Sequence, residues 1–112
     1  MTNFIHIFGK AFPCEDFQIT RWGDSLFSLR MPPRRIRINF ENGYTLSSIA
    51  DGYGASEGLY EAALIDRKTN EVIPGLSEDQ YDDVVGFLSQ QDVTEMIQKV
   101  MNWPRKEDYK AE

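Results

Sequence analysis

Four arginines crowd into one short stretch, Arg30, Arg34, Arg35 and Arg37, and form the densest group of chemically capable side chains in the chain. Guanidinium forks grip phosphate or carboxylate in a bidentate way. The competing use of such a group is cross-strand pairing with the chain's own acids. His6 is the only histidine, so a His-based metal site or a Ser-His-Asp triad would rest on it alone. It sits in an aromatic stretch with no Gly-x-Ser-x-Gly motif in the chain, which predicts a packed or edge residue. Cys14 is the single cysteine and has Glu15 and Asp16 as neighbours. A reactive thiolate needs a cationic setting, so an ordinary half-buried cysteine is expected. Gly52-Tyr53-Gly54 has the glycine spacing of phosphate loops, but those run from a strand into a helix, and here a strand is predicted to follow. The stretch reads as a flexible connection, with Tyr53 at the tip in the manner of a recognition loop. Asp82-Asp83 is a pair of acids without a visible cleft. No catalytic, cofactor-binding or metal-ligating residue and no cofactor are predicted. The candidate interaction residues are Arg34, Arg35, Arg37, Tyr53 and Trp22.

The element that must position the arginines is a β-hairpin over residues 34–50. Ile36, Ile38 and Phe40 alternate with Arg35, Arg37 and Asn39, the period of a strand with one buried face. A two-residue Asn42-Gly43 turn would set Phe40 opposite Thr45 and Ile38 opposite Ser47, placing hydroxyls on the apolar face. A three-residue loop, Glu41-Asn42-Gly43, with Gly43 left-handed, pairs Phe40 with Tyr44, Ile38 with Leu46 and Ile36 with Ser48. Burial selects the longer loop, because a one-residue slip turns every side chain of one strand over. Arg35, Arg37, Asn39, Thr45 and Ser47 then share the opposite face.

Around this hairpin the chain predicts further strands. Asn3–Phe8 is a first strand, with Phe4, His6 and Phe8 on one side and Ile5 and Ile7 on the other, and apolar groups on both sides suggest that it is well covered. Residues 10–24 read as an irregular loop pinned by Phe17 and Trp22. Ser25–Leu29 reads as a second strand, stopped at Met31-Pro32-Pro33, since proline lacks a ladder donor. Leu59–Asp66 is another strand, turned by 67–70 and returning briefly over 71–73 before Pro74-Gly75. Ser77 with Gln80 resembles a capping box, and Tyr81, Val84, Val85 and Leu88 lie at helical spacing, so a short helix is expected there, interrupted by Gly86. Ser89-Gln90-Gln91-Asp92 opens the strongest helix, whose Val93, Met96, Ile97, Val100 and Met101 form one apolar stripe ended by Trp103-Pro104. The fold class is therefore α+β: an antiparallel meander of about four or five strands covered on one face by a C-terminal helix. Residues 1–104 form a single domain and 105–112 a charged tail.

At 112 residues the chain is long enough to bury about 65% of its unfolded surface without a staple. One cysteine, no signal-peptide pattern and no long apolar run predict a reduced, soluble, cytoplasmic protein that does not engage a membrane. Charge is polarised. Residues 1–40 carry six Lys/Arg against three Asp/Glu and residues 41–112 six against fifteen, a net +3 and −9 within the overall −6. An acidic total disfavours non-specific binding to nucleic acid or anionic membrane and suits a partner with a basic surface.

Three segments together resemble a group of small uncharacterised proteins of tailed bacteriophages and prophages: Phe40-x-Asn42-Gly43-Tyr44-Thr45-Leu46-Ser47, then Glu61–Asp66, then Asp83-Val84-x-Gly86-Phe87-Leu88 with Val93 soon after. The resemblance spans roughly residues 36–102. It implies an early or accessory phage product acting in the host cytoplasm, and it supplies no activity and no catalytic residues. The leading expectation is a non-enzymatic protein-interaction module that modulates or inhibits a host protein. The alternative is a small nucleic-acid binder using the arginine face of the hairpin, with Tyr53 or Trp22 for stacking. A hydrolase built on His6 is the third and weakest reading. Oligomeric state is not legible.

Overall fold

The computed structural model of the chain describes residues 2–26, 30–52, 54–73 and 84–104. The elements delimited among the described residues are, in order, β1 (Asn3–Ile7), β2 (Lys10–Cys14), β3 (Asp16–Thr20), β4 (Arg35–Asn39), β5 (Tyr44–Ile49), β6 (Tyr60–Asp66), β7 (Val84–Leu88) and α1 (Gln90–Met101). β3 to β7 make a five-stranded antiparallel meander in chain order, and β1 and β2 make a separate two-stranded sheet. The α+β class and the helix packed on the sheet agree with the sequence expectation.

The central hairpin has the predicted register. Ile38 faces Leu46, Ile36 faces Ser48 and Arg37 faces Ser47. The Phe40 N–H donates to the Tyr44 carbonyl at 2.9 Å, which closes the three-residue loop, and Gly43 has φ of +95°. Ile36, Ile38, Phe40 and Leu46 are all buried on the inner face.

Several expectations fail, each for a local reason. Residues 10–24 are not an irregular loop, because β2 and β3 occupy most of them. Phe8-Gly9, with φ of +51° and +76°, turns β1 into β2 as a two-residue hairpin of the twisted kind, and Pro13 is tolerated because β2 has no neighbour on its other edge. β1 is covered on one side only: Ile5 and Ile7 are buried, while Phe4 is 55% exposed and His6 is exposed. The strand expected at Ser25–Leu29 is contradicted by Leu26 and Arg30, which are helical. Residues 27–29 lie outside the described residues. The helix expected from Ser77 is also contradicted where it is described, since Val84, Val85 and Leu88 belong to β7. Ser77, Gln80, Tyr81 and Asp82-Asp83 lie outside the described residues. Valines spaced to suit a helix also suit an edge strand broken by a bulge. Tyr60 pairs with Leu88 and Ala62 with Val85, so Gly86 and Phe87 together oppose Glu61, and Phe87 takes φ of +58°.

The return over 71–73 is short but real. Val72 bridges Ile65, and Ile73 N–H donates to Leu64 C=O at 2.8 Å. The Asp66 carboxylate accepts from the Lys68 and Thr69 N–H groups and shapes the turn.

The core lies between the inner face of the large sheet and two covers. One is the β1–β2 hairpin, which contributes Ile5, Ile7, Phe12 and Cys14. The other is α1, which contributes Val93, Ile97 and Val100. α1 opens at the predicted start, on a capping box: Ser89 Oγ accepts from Asp92 N–H at 3.0 Å and the Asp92 carboxylate accepts from Ser89 N–H at 2.9 Å. Its far end is held by the hairpin loop. Asn42 Nδ2 donates to the Val100 and Trp103 carbonyls at 2.8 and 3.1 Å, and Trp103 packs edge-on against Tyr44 at 5.2 Å.

Candidate functional site

The sheet end where β3 leaves and β4 begins gathers the chemistry. Trp22 lies two residues past the end of β3 and is 46% exposed. Arg34 precedes β4, and its guanidinium carbon lies 5.7 Å from the centre of the Trp22 ring, a cation–π contact. The β4–β5 register sets residue 51 across from residue 33, so Asp51 meets both flanking arginines. Asp51 Oδ2 accepts from Arg34 Nε at 3.0 Å and from Arg35 Nη2 at 3.1 Å. Those two hydrogen bonds, Arg34 first, hold the Asp51 carboxyl below its ordinary value. Its other oxygen, Oδ1, is buried and has no hydrogen-bond partner among the described residues.

Behind Trp22 opens a pocket of ≈ 310 Å³ lined by Trp22, Met31, Pro32, Ala50, Asp51 and Tyr60, among others. Tyr60 comes from the start of β6. Its ring meets Phe8 edge-on at 5.6 Å, and its hydroxyl donates to the Pro33 carbonyl at 2.6 Å. Burial pushes the Tyr60 hydroxyl up to about 12. That bond fixes the proline corner in place, so the pocket wall is anchored from below. Gly52 and Gly54 allow close packing at this end of the sheet, Gly52 against the Glu61 side chain and Gly54 against Phe87. Gly54 has φ of +97°, and a Cβ there would sit 3.1 Å from the Phe87 backbone. A single 3-10 turn, Ala55–Glu57, leads from it toward β6.

The structure therefore brings together three of the five candidate interaction residues: Trp22, Arg34 and Arg35, joined through Asp51. Arg37 lies apart on the outer face, where Nη2 donates to Asn70 Oδ1 at 2.6 Å. Tyr53 lies outside the described residues. Arg30 is exposed. Asp51, Met31, Pro32 and Tyr60 were missed by the sequence reading. Asp51 was within reach of it, because extending the hairpin register by two residues places it beside Arg34 and Arg35.

The other candidates for chemistry are placed elsewhere. Cys14 is buried, and burial followed by the Asp16 carboxylate pushes its thiol up, which opposes thiolate formation. His6 stands on β1 away from the pocket. Among the described residues no group of three His, Cys, Asp or Glu side chains could hold a metal ion, and no helix is long and apolar enough to cross a membrane. The chain matches no protein-family model, no curated protein and no solved structure.

Proposed function

We propose that this chain is a non-enzymatic protein-interaction module whose partner seats an apolar side chain in the Trp22 pocket. The observation that carries this reading is the pocket itself, with an exposed tryptophan at its mouth, a tyrosine in its wall and an ion-paired arginine on its rim. Tryptophan, tyrosine and arginine grouped at one recess are the composition of an interaction hot spot. Its volume lies at the low end of the range of about 300–1,000 Å³ for ligand pockets, which suits a side chain or short loop. Asp51 also fits this role better than a catalytic one, since a carboxylate held low by two guanidinium groups is a poor base near neutral pH. Together with the resemblance to small phage proteins, the pocket supports the reading of the chain as a phage-encoded modulator of a host protein, acting in the host cytoplasm.

The test is capture from bacterial host lysate on the immobilised chain, with and without nuclease, using wild type, Trp22→Ala and Arg37→Ala. A nuclease-resistant partner held by wild type and Arg37→Ala and lost by Trp22→Ala is the expected result. Capture that is indifferent to Trp22→Ala removes the pocket from the reading, and capture abolished by nuclease favours nucleic acid instead.

A further inference from the structure

The two edges of the large sheet differ in how they meet solvent. β7 is broken by the Gly86-Phe87 bulge, a device that discourages strand addition. β3, Asp-Phe-Gln-Ile-Thr, has no proline, glycine or lysine and, among the described residues, pairs on one side only. Phe17 is 38% exposed, and Asp16, Gln18 and Thr20 are exposed as well.

The ladder shows which backbone groups face outward. Ala50 N–H donates to Arg34 C=O and Phe40 N–H to Tyr44 C=O, so the even-numbered residues of β4 address β5. Arg35, Arg37 and Asn39 therefore address β3, where they face Thr20, Gln18 and Asp16. Backbone groups alternate sides along a strand, and the N–H and C=O of Phe17 and Ile19 are left pointing away from the sheet.

This segment is complementary to itself. An antiparallel copy centred on Gln18 sets Phe17 against Ile19, Asp16 against Thr20 and Glu15 against Arg21, an opposite-charge pair at each end in which Glu15 also keeps its bond from Arg67. Among the described residues Arg21 has one hydrogen bond, from Nη1 to the Met31 carbonyl at 3.3 Å, and its other donors face no acceptor there.

We propose that a second copy of this chain pairs antiparallel along β3 about a two-fold axis at Gln18, joining two five-stranded sheets into one. Phe17 of each copy exchanges both N–H···O bonds with Ile19 of the other. Gln18 meets Gln18 as a non-hydrogen-bonded pair, the closer of the two kinds, and the exposed Phe17 ring is covered by the other copy's Ile19.

Sedimentation of the full chain across micromolar to millimolar concentration tests this, because a short edge contact is a small interface. The average mass is expected to rise from 12.9 kDa toward twice that value. Phe17→Pro removes an N–H that β4 does not use, so it is expected to stay monomeric with an unchanged far-UV spectrum. Gln18→Cys is expected to form a disulfide-linked dimer several-fold faster than Asp16→Cys or Thr20→Cys, since only the central pair falls within disulfide reach of its own copy. A wild type that stays at 12.9 kDa throughout overturns the proposal, as does crosslinking no faster at position 18 than at 16 or 20. If Phe17→Pro does not fold, the crosslinking profile decides alone. Binding of an unrelated extended peptide along β3 by a wild type that remains monomeric also counts against self-pairing.

Discussion

Gly43 and Tyr60 show how single residues set the two ends of the central hairpin. At the loop, Gly43 holds φ of +95°, a conformation that a branched side chain strongly resists. Gly43→Val is expected to destabilise the chain by about 1–2 kcal/mol in urea unfolding, and Gly43→Asn by clearly less, because asparagine tolerates positive φ. At the other end, Tyr60 spends its hydroxyl on the Pro33 carbonyl inside the core. Tyr60→Phe strands that carbonyl and is expected to cost about 1–3 kcal/mol. The same residue carries a pH signature. Its hydroxyl titrates near 12 when folded against an ordinary 10, so the unfolded chain releases the proton first. The stabilisation is complete below pH 10 and declines as pH rises from there toward 12. Wild type is therefore expected to lose more stability than Tyr60→Phe between those two pH values. Equal slopes would mean that the hydroxyl is not buried as described.

At the scale of elements, α1 is fastened at both ends by side chains rather than by its own propensity. Ser89→Ala removes one half of a reciprocal cap and is expected to cost about 1 kcal/mol, read as a lower urea midpoint. Asp92→Ala added to it is expected to cost less than its separate effect, since the two bonds form one unit. Both the cap and the hairpin register were legible in the sequence because each is local: Ser89 with Asp92, and a choice between two loop lengths settled by the burial of Ile38 and Leu46. What was not legible depends on partners distant in sequence. β3 pairs with β4 across the 21–34 segment, so the stretch around Phe17 carries little local signal beyond one aromatic residue between polar ones. β7 hides behind a helical spacing because its bulge sets Leu88 three residues after Val85 instead of two. The candidate site divides in the same way. Trp22 and the arginines stood out by type, whereas Met31, Pro32 and Tyr60 join them only once β6 lies beside β5.

Over the whole molecule, the question is whether the arginine face presents free positive charge. The chain answers most of its guanidinium groups internally: Arg34 and Arg35 share Asp51, Arg67 pairs with Glu15 and approaches Asp16, and Arg37 reaches Asn70. With −9 carried by residues 41–112, the surrounding field repels a polyanion. Binding to plain duplex or single strands is therefore expected to be weaker than about 1 μM at physiological salt, no tighter than typical non-specific association. The measurement is a salt titration of affinity for wild type and for Arg35→Ala combined with Arg37→Ala. A nucleic-acid face would give a log–log slope near −0.9 per duplex phosphate neutralised, flattened in the double variant. A protein-interaction module gives weak binding in both chains with no difference in slope. Submicromolar affinity with a slope that the double variant flattens would reverse the order of the two readings, because it would require the sheet to hold its acids away from Arg35 and Arg37 when nucleic acid arrives.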